Sequence, residues 1–297
     1  MTSMDLQQLP FATDNGFGQR ARIGIVVLEN DQTVEAELSS LWPEGVAAFA
    51  TRIPMEDRVT AETLLAMEAR IPEAAALLPV RMGFDVIGYG CTSAATLIGE
   101  DRVAEAVRRA HPDVPNTNPI TAVLAAMAAL GAVRVAVVTP YNAEVTGGIV
   151  DLLTGRGLEV VAVGSFLEES DATVARITEA SVADAVRRLV ASADGSADRR
   201  VDAVFVSCTS LRAYGIAGAL EAELGVAVVS SNLAFGRHLL RPAGIDQGND
   251  GMGRPVALRL EGRPARAAGP VRPRGRCPSG ASPPRNARAG RGRDRRC

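Results

Sequence analysis

The sequence contains no lysine, because all 32 of its basic residues are arginines. A lysine amine forms the Schiff bases of pyridoxal phosphate and aldolase enzymes, and the Walker motif of P-loop proteins also needs one. A Gly-x-Ser-x-Gly motif, which carries the serine of α/β-hydrolases, is missing as well. These absences exclude three large classes of enzyme.

Metal ligands are also scarce, with 2 histidines and 4 cysteines in 297 residues. Neither a Cys-x-x-Cys pair nor a His-Glu-x-x-His motif occurs, which argues against a zinc site. Residues 88–90 (GYG) resemble the start of a dinucleotide fingerprint, but Ser93 stands where its third glycine belongs. We therefore expect chemistry that uses neither a metal nor an organic cofactor.

Long apolar runs are absent too. The longest apolar stretch, residues 120–133, is too short to span a bilayer. Residues 1–20 lack the basic start and apolar centre of a secretory signal and look like a loose polar arm. These features predict a cytoplasmic protein without a membrane partner, whose cysteines stay reduced.

The net charge of −2 is unevenly distributed. Residues 1–249 carry a net charge of −12, which argues against nucleic-acid binding by the body of the protein. Residues 254–297 are rich in Arg, Pro, Gly and Ala without periodicity, so we expect a disordered tail. Two interpretations of this tail stay open: an Arg-rich nucleic-acid arm, or the product of a shifted reading frame in GC-rich DNA.

One nine-residue pattern is present twice. Residues 85–93 read DVIGYGCTS and residues 202–210 read DAVFVSCTS, an offset of 117. Upstream, RIGIVV at 22 matches RVAVVT at 134, an offset of 112. Two matches in the same order at nearly one offset indicate an internal duplication with one cysteine in each half.

Short β-branched runs alternate with helical segments along the chain, which predicts an α/β fold with parallel sheets. We expect two pseudo-symmetric αβα domains with the active site between them. The predicted first domain spans 21–117 plus about 233–253, and the second spans 118–232. Strands are predicted at 22–28, 85–90, 134–138, 158–163, 201–207 and 226–229. Helices are predicted at 58–76, 94–110, 120–130, 181–193, 211–224 and 232–240. One further helix is predicted to begin near residue 34, and another to end near residue 154.

Each repeated cysteine is predicted to follow a strand and to precede a helix. A helix N-terminus lowers a thiol pKa, so Cys91 and Cys208 are candidate acid/base residues or nucleophiles. Free N–H groups and the hydroxyls of Thr92, Ser93, Thr209 and Ser210 could hold a substrate carboxylate. The alternative is that each cysteine is an inert buried side chain at a strand end. The duplication of the whole pattern favours function.

Four segments, GYGCTSAATLIGE, VSCTSLR, VVTPYNAEV and VVSSN, resemble the aspartate/glutamate racemase superfamily. Within it the resemblance is to the maleate cis–trans isomerase and ectoine-utilisation branch, over about residues 20–253. The resemblance implies two α/β domains that clamp a substrate between Cys91 and Cys208, and a substrate contact by Tyr141. Arylmalonate decarboxylases are similar but lack the first cysteine, so its presence disfavours decarboxylation.

One position departs from the maleate isomerase pattern. Those enzymes carry Asn in the loop after the first strand, where this chain has Asp31. A carboxylate there would repel a dicarboxylate and suit a cationic or amidine-like nitrogen. The segment DQT (31–33) resembles the ectoine-utilisation branch, whose proposed role is inversion of a hydroxyectoine-type compound. The alternative is that Asp31 only caps the following helix.

The leading hypothesis is a cofactor-independent racemase or isomerase that acts on a small carboxylate, in ectoine or hydroxyectoine catabolism, with the two thiols as proton donor and acceptor. The alternatives are maleate isomerisation by covalent thiolate addition, and a small-molecule binding module without catalysis. The sequence leaves the presence of a homo-oligomer open.

Overall fold

The computed structural model describes residues 7–193 and 200–245. The predicted tail at 254–297 and residues 246–253 of the predicted first domain lie outside the described residues. Residues 7–20 contain neither helix nor strand and are mostly exposed. No helix in the described part of the chain is both long enough and apolar enough to cross a membrane.

Two four-stranded parallel sheets are present in the described residues, which confirms the predicted α/β class. The first has the order β2-β1-β3-β4, with β1 Ala21–Leu28, β2 Val46–Ile53, β3 Val86–Gly90 and β4 Asn116–Thr117. The second has the order β6-β5-β7-β8, with β5 Arg134–Thr139, β6 Glu159–Ser165, β7 Ala203–Val206 and β8 Ala227–Ser230. The matching strand orders are those expected of a duplicated unit.

Helices connect the strands, as the βαβ crossovers of parallel sheets require. They are α1 Val34–Ser39, α2 Ala61–Ala66, α3 Ile71–Ala76, α4 Thr92–Ile98, α5 Glu100–Arg108, α6 Pro119–Leu130, α7 Ala143–Gly155, α8 Asp171–Val174, α9 Glu179–Ala193, α10 Tyr214–Leu224 and α11 Ser231–Leu240.

Three predictions from local pattern were wrong. Strand β2 was not predicted, because its sequence VAAFATRI lacks a continuous β-branched run. The helix predicted at 94–110 is two helices, interrupted at Gly99, whose φ of 99° does not fit a helix. The helix predicted at 58–76 is also divided, and Pro72 lies in the first turn of α3, where a missing N–H costs little.

Helix α11 follows the second sheet in sequence but packs against the first. Phe235 lies so close to β3 that a Cβ on Gly88 would be 2.4 Å from its ring. The glycine therefore allows close contact between α11 and β3. This packing agrees with the predicted return of the chain to the first domain, although the domain boundaries themselves stay a prediction.

Candidate active site

The two repeated cysteines lie at the carboxyl ends of β3 and β7, the corresponding strands of the two sheets. Carboxyl ends of strands are where open α/β sheets bind ligands. Cys91 is the N-cap of α4, and its Sγ accepts a hydrogen bond from the Ala94 amide at 3.4 Å. The Ser93 hydroxyl is 3.6 Å from the same sulfur. The predicted strand–cysteine–helix arrangement is present at this position.

The local structure around Cys208 differs from the prediction. The next helix, α10, begins only at Tyr214, so Cys208 does not lie at a helix N-terminus. Its backbone instead has a φ of 111°, a conformation that non-glycine residues rarely adopt. The Cys208 amide donates to the Ser231 hydroxyl at 3.0 Å, which fixes the bend.

Direct contacts join the two cysteine loops. The Thr92 hydroxyl donates to Ser231 Oγ at 2.8 Å, the same atom that accepts from the Cys208 amide. The Thr209 hydroxyl donates to the Gly90 carbonyl at 3.4 Å. Both threonine hydroxyl protons are therefore engaged in holding the loops together.

Tyr141 contacts both loops. Tyr141 comes shortly after β5, and Asp31 comes shortly after β1. These two strands hold the same place in the two sheets, so the two residues have corresponding positions. Its hydroxyl interacts with the Cys208 thiol and the Ser93 hydroxyl, and burial raises its pKa well above the usual value. The structure thus brings together residues that are more than 100 positions apart in the chain.

Burial dominates the protonation of both thiols, contrary to the prediction of lowered pKa values. Cys91 is 2% exposed and Cys208 is 6% exposed. Burial raises the pKa of Cys91 to about 11, although the Ala94 amide and the Ser93 hydroxyl oppose this. Burial also strongly raises the pKa of Cys208, and the Asp171 charge adds to the effect. In the free protein at neutral pH, both sulfurs are therefore thiols.

The two oxygens of Asp31 have different surroundings, and one of them forms the predicted helix cap. Its Oδ1 accepts hydrogen bonds at 2.8 Å from the amides of Thr33 and Val34, and so caps α1. Its Oδ2 is buried and has no hydrogen-bond partner among the described residues. The Thr33 hydroxyl donates to the Ser210 carbonyl at 2.8 Å, which joins this loop to the Cys208 loop.

Two acidic residues in the site were not predicted. Asp171 is 3% exposed, and its charge acts on both thiols. Burial raises the pKa of Asp171 to about 6. It is the first residue of the short helix α8, in a segment without motif or repeat, so the sequence did not predict it.

Glu37, on α1, is the second acidic residue that the sequence analysis missed. It accepts hydrogen bonds from the amides of Ala213 and Tyr214 at 3.2 Å and from the Asn232 side chain at 2.7 Å. The same Asn232 nitrogen donates to the Thr209 carbonyl at 2.8 Å. Burial raises the pKa of Glu37 to about 7. Asn232 lies in the VVSSN segment that contributed to the family resemblance, so part of this network had a sequence signal.

Proteins of known structure and function are similar to this chain. Residues 23–256 match the family model described as arylmalonate decarboxylase. The maleate isomerase of Nocardia farcinica is 30% identical over 246 residues, which cover 78% of this chain and 94% of that protein.

Two solved structures extend the comparison. The N. farcinica maleate cis–trans isomerase, in a cysteine-to-serine mutant with a covalently bound succinylcysteine intermediate, has a TM-score of 0.70 and 27% identity, covering 80% of this chain and 98% of that one. A maleate isomerase from Pseudomonas putida S16, solved with maleate, has a TM-score of 0.72 and 24% identity, covering 81% of this chain and 99% of that one. At 24% identity, the similarity to the P. putida enzyme shows a shared fold.

Proposed function

This chain belongs to the arylmalonate decarboxylase/maleate isomerase family and is a cysteine-based isomerase, and from this premise we propose that Cys91 and Cys208 act as a proton-transferring pair on a small carboxylate. The observation that carries the proposal is the joining of the two thiol loops through Ser231 and Tyr141. Decarboxylation needs one proton donor, whereas inversion at a carbon needs an acceptor and a donor on opposite faces. Two thiols meet that second requirement.

The cycle starts once one of the two thiols has lost its proton to solvent, and the proposed reaction is then balanced without any further reactant. One cysteine, as thiolate, removes the proton from the carbon next to the substrate carboxylate, and the electron pair moves onto the carboxylate to form an enediolate. The opposite cysteine, as thiol, then gives its proton to the other face of the carbon. The first sulfur ends as a thiol and the second as a thiolate, so the reverse turnover restores the starting state. The hydroxyls of Ser93, Ser210 and Tyr141 are the groups we expect to contact the substrate.

The test replaces each thiol by a hydroxyl. We expect Cys91→Ser and Cys208→Ser each to lose about a hundredfold or more in kcat, because a serine hydroxyl is a far weaker acid at this position. Turnover and solvent-deuterium incorporation at carbon are followed by NMR in deuterated water. Circular dichroism checks that the variants remain folded. The control is Cys277→Ser, the same substitution at a cysteine outside the residues 23–256 that the family model covers. Full activity in either active-site variant would refute the two-thiol scheme.

A second candidate reaction is maleate cis–trans isomerisation, which the names of the relatives favour. In this reaction a thiolate forms a C–S bond to one alkene carbon, and the other thiol protonates the neighbouring carbon. The former double bond between the two carbons is now single and can rotate. Removal of the same proton and departure of the thiolate then give the trans isomer. The test uses a variant in which one of the two cysteines is replaced by serine. If the remaining cysteine gains the mass of one maleate, this route is identified.

The link to ectoine or hydroxyectoine catabolism is a finer part of the proposal. It is supported by the segment DQT at 31–33 and by the unpartnered oxygen of Asp31. Maleate and ectoine differ in charge, so a comparison of the two as substrates tests this part directly. The cytoplasmic location and the oligomeric state stay predictions.

A further inference from the structure

Two buried carboxylates lie beside the thiols. Asp31 and Asp171 are each 3% exposed, and the Oδ2 atom of each has no hydrogen-bond partner among the described residues. The neutral Ser210 hydroxyl interacts with the Asp171 carboxyl and partly offsets the effect of burial on its pKa. The charges of both raise the pKa values of Cys91 and Cys208, and Asp31 also raises that of Asp171. The four side chains therefore share one electrostatic environment.

Neither carboxylate forms an ion pair within residues 7–193 and 200–245. Arg52 comes near Asp31, but it donates to the backbone carbonyl at 3.0 Å and pairs its charge with Glu35. A buried carboxylate without a partner is costly, and proteins usually supply a cation or protonate the group. The positive charge that this pair lacks can come from a bound molecule.

Both carboxylates are held in place by the surrounding structure. Asp31 is fixed through Oδ1 by two amides of the α1 cap. Asp171 is the first residue of α8, and the segment just before it is bound by the other half of the molecule. In that segment the Glu169 carbonyl accepts from the Val59 amide at 2.9 Å, and the Glu169 side chain pairs with Arg58. A preorganised pair of this kind is suited to select a ligand by charge.

We propose that Asp31 and Asp171 form a subsite for a positively charged nitrogen, so that the substrate is an amidinium or ammonium carboxylate rather than a dicarboxylate. This inference rests on the proposed thiol chemistry and names its substrate class. Within the described residues, no three His, Cys, Asp or Glu side chains are grouped so that they could hold a metal ion. An organic cation is therefore the ligand that this pair fits.

The pair also links substrate charge to thiol activation. In the free site, burial and the two carboxylates keep both sulfurs protonated. A bound cation offsets the carboxylate charge and favours formation of one thiolate. A dicarboxylate brings two further negative charges and disfavours it. Selection thus acts on catalysis as well as on binding.

The experiment compares Asp31→Asn, Asp171→Asn and the double variant with the wild type. Three probes are used: ectoine as a cyclic amidinium carboxylate, an α-amino acid as an ammonium carboxylate, and maleate. Deuterium exchange or isomerisation is followed by NMR, and thiolate formation by ultraviolet absorbance during titration with each probe. Asp184→Asn, a 63% exposed side chain on α9, is the matched control.

We expect the wild type to process a cationic probe and not maleate. Each active-site Asp→Asn change should lower kcat/KM for that probe about a hundredfold, with an increase in KM, because a buried charge pair is lost. The double variant should gain affinity for maleate, and Asp184→Asn should match the wild type.

Two results would overturn the inference. One is efficient turnover of maleate by the wild type, and the other is unchanged kinetics on the cationic probes in both Asp→Asn variants. The serine variants distinguish this failure from failure of the thiol scheme. If Cys91→Ser and Cys208→Ser abolish turnover while the Asp→Asn variants do not change it, only the charge-selecting subsite is wrong.

Discussion

At the scale of single residues, the most unusual position is Cys208. Its φ of 111° places a residue with a Cβ in a region that favours glycine. Such strain costs about 1–3 kcal/mol and persists only where the surroundings enforce it. Here the Ser231 hydroxyl, which accepts from the Cys208 amide, provides part of that constraint. The conformation is retained at the position where the proposed chemistry needs a thiol.

This strain can be measured with two variants that both remove the sulfur. We expect Cys208→Gly to be more stable than Cys208→Ala by about 1 kcal/mol, because glycine tolerates a positive φ and alanine does not. Urea unfolding followed by circular dichroism gives the difference. Both variants should be inactive. Equal stability, or a more stable alanine variant, would show that the backbone at this position is not strained.

At the scale of elements, α11 connects the core to the site. Its first residues, Ser231 and Asn232, bind the Cys208 loop, while Phe235 packs on β3 beside Gly88. Strand β3 leads directly into Cys91. A change in the spacing of β3 and α11 would therefore be transmitted to both thiols.

Gly88→Ala tests this coupling. The new Cβ would lie 2.4 Å from the Phe235 ring and 3.0 Å from Leu239, so we expect a destabilisation of about 1–3 kcal/mol and a loss of activity. Gly147→Ala, in α7 with nothing within 4 Å of the added Cβ, is the control. It should be neutral or more stable by about 0.5–1 kcal/mol. The measurements are thermal unfolding and turnover, and a fully active Gly88→Ala protein would contradict the coupling.

At the scale of the whole molecule, the site makes folding depend on pH. Burial raises the pKa values of Asp171 to about 6 and of Glu37 to about 7, both above those of ordinary carboxyl groups. The folded state therefore binds more protons than the unfolded chain between about pH 4 and pH 7. The contribution of these two groups to the free energy of unfolding therefore decreases as the pH rises through this range. Burial lowers the pKa of His238, which acts in the opposite direction, but it is one group against two. The surface carboxylates of Glu169 and Glu223 have lowered pKa values, so their stabilising effect is lost only at lower pH.

We predict that the free protein is less stable at pH 8 than at pH 5 and that Glu37→Gln reduces the difference. One pKa unit corresponds to about 1.4 kcal/mol, so each buried carboxyl contributes on the order of 2–3 kcal/mol. Urea unfolding of both proteins at the two pH values measures the effect. Glu159→Gln, on an exposed residue of β6, should retain the wild-type pH dependence. An unchanged pH dependence in Glu37→Gln would show that Glu37 is ionised without cost.

The fold class, the internal duplication and the two repeated cysteines could all be predicted from the order of the amino acids. These features are encoded locally, in β-branched runs, in helix caps and in a motif that occurs twice. Local sequence patterns did not predict β2. Its alanine-rich sequence becomes a strand through its pairing with β1.

The construction of the site depends on contacts that form only in the folded protein. The charge of Asp171 acts on both thiols, Ser231 binds the Cys208 amide, and Glu37 binds the Asn232 side chain. These contacts join segments far apart in the chain, and no local pattern encodes them. The helix predicted from residue 211 begins only at Tyr214, and Ser231 and Asn232 bind the loop that separates it from Cys208. The protonation of the thiols was likewise decided by burial, which depends on the packing of the whole molecule and outweighs the local effect of a helix N-terminus.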